Sequence, residues 1–193
     1  MAYLVAILAG FAFGAGDQYL GTLAAGSVLG TWSWTVSGMS APWLILPFVA
    51  GTTQRRPRRA AAIGLLVTFS ALAGYFAMSN SPMESIPLAG FWNGVTCMVT
   101  STPNPEWIVA GAITGPLLGV LGQRWRVARS WIGPVIITAS LCLEPVARAA
   151  VGSLSSHPGV WATEVAIGLA SGIAFLWIIV RARASGDGLS PPS

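Results

Sequence analysis

AAAIGLLVTFSALAGYFAMS, Ala60–Ser79, runs for twenty residues without a charged side chain, and it follows directly on RRPRR, Arg55–Arg59. At about 1.5 Å rise per residue such a helix crosses the ~30 Å hydrocarbon layer of a bilayer. The arginine cluster marks the end that stays in the cytoplasm. Working outward, windows of similar character cover Ala2–Leu23, Trp32–Gly51, Trp107–Leu121, Trp131–Val151 and Val160–Val180. The pattern predicts an all-α, polytopic membrane helical bundle of about six transmembrane helices. Residues 1–183 form its single domain, and residues 184–193, rich in Ser, Gly and Pro, read as a disordered cytoplasmic tail.

Composition agrees, since the chain is 54% hydrophobic and 8% charged, far too little charge to cover a soluble domain. The net charge of +4 comes from ten arginines and no lysine. Arg55, Arg56, Arg58 and Arg59 follow span two, Arg124, Arg126 and Arg129 follow span four, and Arg181 and Arg183 follow span six. Nine of the ten therefore share one face in short loops, which is a topology signal and excludes a nucleic-acid-binding reading. Both termini are expected in the cytoplasm. The opening segment has no basic leader and carries Asp17 inside its apolar run, so it reads as a retained first span.

The connection from Asn80 to Glu106 is long and apolar in patches, yet a full crossing there would move the Arg124 cluster outside. It is expected to form a re-entrant or interfacial loop on the outer face, a lid in a position where long loops often serve function. Gly111, Gly115 and Gly119 in span four, and Gly10 and Gly14 in span one, recur at four-residue spacing that would let helices approach closely. The repeat hints at two inverted three-helix halves, but glycine is common in membrane helices and composition is the simpler account of the spacing.

Three acids inside the apolar spans, Asp17, Glu144 and Glu164, are the first candidates for chemistry, because a charge in hydrocarbon is expensive. Counting along each helix puts all three in the outer third of the bilayer, within about one turn. Arg148 follows Glu144 by four residues on the same helix face and would keep it ionised. Asp17, between Gly16 and Gln18, has no basic neighbour and would keep its proton. One neutral and one ionised carboxyl are what an acid and a base require at a single pH. The structural alternative is that Asp17 caps or staples helices, Glu144 and Arg148 form a structural ion pair, and Glu164 lies close enough to the headgroups to be solvated.

Aromatic side chains gather in the same layer: Tyr19, Trp32, Trp34, Tyr75 and Trp107, with Trp92 in the presumed lid. Their faces stabilise cations, by up to about 2 kcal/mol each where water is excluded. Trp107, Trp125, Trp131 and Trp161, at span ends, also read most simply as interfacial anchors, whereas Trp32, Trp34 and Trp43 are denser than an anchor requires. Cys97, Cys142 and His157 have no metal-ligand spacing, and the chain has no Asp-Asp-x-x-Asp motif for magnesium-assisted ionisation of a diphosphate. No metal or cofactor is expected.

On these residues the chain resembles the small bacterial membrane-bound terpene cyclases that act on farnesylated indole intermediates. The resemblance covers the whole chain through its size, its helical spans, its acids near the membrane surface and its many tryptophans. It implies a protonation-initiated isomerase of the bacterial cytoplasmic membrane, acting on a prenylated aromatic small molecule. In that reading Asp17 is the proton donor, Glu144 or Glu164 orients it or acts as base, and Tyr19, Trp32, Trp34, Tyr75, Trp92, Trp107 and Arg148 line the substrate site. Six spans under an outer lid also look like the substrate-binding subunits of vitamin importers, and the same acids would serve a small proton-coupled transporter. A structural or assembly role, with polar residues holding helices together, is a further alternative. Self-association stays open.

Overall fold

The computed structural model describes residues 1–23, 33, 36–37, 39–81, 90–100, 104–152 and 158–184, the side chains at 98, 104 and 182–184 excepted. Seven helices make up the described residues, with no strand among them. They are α1 (Ala2–Thr22), α2 (Ala41–Thr52), α3 (Pro57–Ser79), α4 (Phe91–Thr100), α5 (Asn104–Ala128), α6 (Ile132–Ala150) and α7 (Pro158–Ala184). Five of them, α1, α3, α5, α6 and α7, are long and apolar enough to cross a membrane. The expected helical membrane bundle is what the chain forms.

Lipid tails are as apolar as leucine, so helix association in a membrane depends on close packing and interhelical hydrogen bonds. The glycines supply the close packing. A Cβ at Gly10 or Gly14 would run into the α3 carbonyls of Val67 and Ala71, and one at Gly119 would run into Ala60 of the same helix. Gly115 of α5 lies against Gly64 and Thr68, and Gly111 against Thr68 and Leu72. Both four-residue glycine series therefore land on α3, one from each neighbour. Their spacing is a packing device and more than a by-product of composition. Gly119→Leu is expected to abolish the folded monomer in detergent, read as loss of the monodisperse peak on size exclusion; recovery of a wild-type peak would contradict the packing argument.

The same contacts give direction. Residue numbers rise together along α1 and α3 but in opposite senses along α3 and α5. Because α1 and α3 are parallel, the chain between them must return across the bundle. α2 is the described part of that return, and at 12 residues it is shorter than the expected second span, whose beginning lies outside the described residues. Because α3 and α5 are antiparallel, the connection between them begins and ends on one side. α4, a 10-residue amphipathic helix of about 15 Å, lies within that connection and is too short to cross. The loop expected over Asn80–Glu106 thus carries a helix but makes no crossing.

α5 is longer than its apolar window suggested. It begins near Asn104 and continues to Ala128, so Arg124 and Arg126 lie in its last turns and not in a loop. Arg58 and Arg59 similarly sit in the first turn of α3, and Arg181 in α7. The helices outrun the hydrocarbon, where a hydropathy window stops seeing them. At this end Arg126 Nη1 donates to the Thr52 carbonyl at 2.9 Å, and Gln123 Nε2 to that of Arg55 at 2.9 Å. α6 and α7 form an antiparallel pair with Gly168 against Leu141 and Cys142, and Gly172 against Thr138. A core of Phe48, Leu118, Leu121, Trp125, Ile137 and Leu141, backed by Phe175, joins this pair to α2 and α5.

Candidate functional site

Opposite the arginine-rich end, the start of α2 meets four other helices. A helix start leaves backbone N–H groups without intrahelical acceptors, and here Ser40 gives no side-chain cap. Glu144 of α6 caps the turn from outside. Ser40 N–H donates to Glu144 Oε1 at 2.7 Å, and Ala41 N–H donates to Oε2 at 2.9 Å. Glu144 reaches this point because it continues the buried stripe Gly133, Ile137 and Leu141 along α6.

Arg148, one turn further on, donates to Glu144 Oε1 through Nε at 2.9 Å and Nη2 at 2.8 Å. Its guanidinium also stands 5.6 Å from the centre of the Trp161 ring of α7. Trp161, Val160 and Met39 pack together, seating the lead-in to α2 on α7. Glu164, three residues beyond Trp161, is only 3% exposed, and neither of its carboxylate oxygens has a hydrogen-bond donor among the described residues. Its carboxyl faces that of Glu144, with Arg148 the nearby cation.

A second group lies three residues along the same helix. The Trp43 side chain hydrogen-bonds to Asp17 of α1, and only its indole N–H can donate. The Trp43 ring meets Phe13 edge-on, with centroids 5.3 Å apart, and meets Tyr75 of α3 at 6.1 Å. A half-buried carboxyl therefore opens onto three aromatic rings from three helices.

No family model, curated protein or solved structure matches the chain.

Of the residues expected at the site, Glu144, Arg148 and Glu164 come together, and Asp17 and Tyr75 come together through Trp43. Both groups adjoin the first turn of α2, one through the Ser40 and Ala41 amides and the other through the Trp43 side chain. Tyr19 is exposed at the end of α1, Trp107 is exposed on α5, and Trp92 of α4 is 75% exposed against Phe91. None of these three shares a contact with the acids among the interactions described above. Trp32 and Trp34 lie outside the described residues.

Two tryptophans read as interfacial anchors are core residues instead. Trp161 is buried and carries the Arg148 cation on its face. Trp125 packs edge-on to Phe175, with Arg129 over its ring. Trp43 stands out in the sequence only through its crowding with Trp32 and Trp34, and Phe13 and the amides of Ser40 and Ala41 do not stand out there at all. The one available signal was Ser40-Ala-Pro42, since proline at a helix's first positions marks a start whose N–H groups need an acceptor. Three Cys, His, Asp or Glu side chains that could hold a metal do not gather anywhere among the described residues.

Proposed function

We propose that this protein is an integral-membrane cyclase of prenyl chains, started by protonation, with Asp17 as the acid and a prenylated aromatic as the substrate. The observation that carries the proposal is the carboxyl of Asp17 held by Trp43 within the ring cluster of Phe13, Trp43 and Tyr75. The Asp17 proton moves to an alkene carbon, the alkene π pair forms the new C–H bond, and the adjacent carbon becomes cationic. Aromatic quadrupoles favour that cation in a water-poor site. Ring closure moves the charge, and a final C–H proton returns to the Asp17 carboxylate. No net proton is consumed and the mass is unchanged.

Glu144 in this reading is a positioning residue. Its oxygens accept four hydrogen bonds, and by capping α2 it fixes the turn from which Trp43 projects. The arginine-rich end is read as cytoplasmic, which places the acids toward the outer leaflet of a bacterial cytoplasmic membrane with both termini inside.

The test is to incubate the purified protein in lipid nanodiscs with farnesylated indole, without ATP or added metal. A cyclised isomer of identical mass is expected. Tight binding of the compound with no isomer formed would overturn the enzyme reading and favour a binding subunit.

A further inference from the structure

Glu164 is a buried acid that the proposed chemistry does not use. Its surroundings pose a charge problem. With Glu144 and Arg148 both ionised, the pair is neutral, and an ionised Glu164 would leave one uncompensated negative charge inside the bundle. Among the described residues, the donors that gather there, the Ser40 and Ala41 amides and the Arg148 Nε and Nη2, all point at Glu144. Glu164, 97% buried, receives none of them. An isolated carboxylate in such a place costs several kcal/mol. A carboxylic acid beside a carboxylate instead shares its proton across the gap.

We propose that Glu164 is a proton-binding site, holding one exchangeable proton against the Glu144 carboxylate while Arg148 keeps Glu144 ionised. Uptake of that proton brings the Glu144–Arg148–Glu164 group from a net charge of minus one to zero. The O–H bond forms on Glu164, and no other bond changes. Among the described residues the charged groups facing it are Glu144 and Arg148, both of α6, while α2 presents the Ser40 and Ala41 amides there and α7 presents Trp161. The site shares no residue with the Asp17 group and does not depend on the cyclase reading.

The experiment is infrared spectroscopy of the substrate-free protein in nanodiscs, in H2O and D2O, comparing wild type with E164Q, E164D and D17N. A protonated carboxylic acid has a carbonyl stretch separate from that of a carboxylate, and it shifts on deuteration. Wild type, E164D and D17N are expected to share one such band that E164Q lacks. An E164Q spectrum retaining every carboxylic-acid band of the wild type would overturn the proposal. Should E164Q fail to fold, carbodiimide labelling of the wild-type protein replaces it, because the reagent requires a protonated acid. Modification mapped to Glu164 and declining as pH is raised is the expected result. Labelling confined to other acids overturns the proposal.

Discussion

Asp17→Asn is expected to lower cyclisation by about 100-fold or more, the contribution typical of a positioned general acid, while leaving the bundle folded. Asparagine has nearly the shape of aspartate, and its Oδ1 can still accept the Trp43 N–H, so the contact joining α1 to α2 survives. It has no acidic proton to give to an alkene. Turnover and stability should therefore separate: product formation falls, while the thermal midpoint in detergent stays near that of the wild type. If instead the midpoint falls sharply and the residual folded protein cyclises at the normal rate, Asp17 is a structural residue and the donor lies elsewhere. Asp17→Glu tests geometry in the same assay. It keeps the proton but moves it by one methylene, and so should recover part of the rate.

Arg148→Met should have the largest effect on stability. Methionine preserves much of the side chain's length and its packing on Trp161, but it leaves the Glu144 carboxylate beside Glu164 without its cation. Breaking a buried ion pair from one side costs about 3–5 kcal/mol. Arg148 is 25% exposed, which puts the expectation at the lower end, about 3 kcal/mol. Denaturant unfolding followed by near-ultraviolet circular dichroism measures it. The double variant Glu144→Gln, Arg148→Met should regain a good part of the loss, because the amide removes the stranded charge and can still accept from Ser40 or Ala41. A double variant no more stable than Arg148→Met alone would mean that packing on Trp161, and not charge, is what Arg148 contributes.

The membrane class, five of the six expected spans and the pairing of Glu144 with Arg148 were legible in the residues, because each follows from local rules: apolar length, arginine asymmetry and four-residue helical spacing. The partners across the bundle were not. Nothing in the spacing of Glu144 says that it ends on the amides of Ser40 and Ala41, more than a hundred positions away. Helix-end tryptophans illustrate the same limit. Trp131 is exposed and Trp161 buried, yet both stand beside a span boundary, and only the packing of α7 on α2 separates them. The glycine series were read as composition because a single chain does not reveal that two of them meet one helix. Asp17 is identified by its cost in hydrocarbon, whereas nothing local pairs it with Trp43, one of three tryptophans crowded into residues 32–43.

The position of α3 between two glycine faces also bears on how the chain assembles. Segments leave the ribosome N-terminus first, so α1 and α3 can lock together early, and α5 then closes the other side of α3. The α6–α7 hairpin is synthesised after these three and docks on a platform already formed, with Glu144 as its latch on the waiting amides of α2. A nick between Arg129 and Trp131 should therefore be tolerated. Two co-expressed fragments, 1–130 and 131–193, would reunite in the bilayer, and losing the latch would impair their reunion more than it impairs either fragment's insertion.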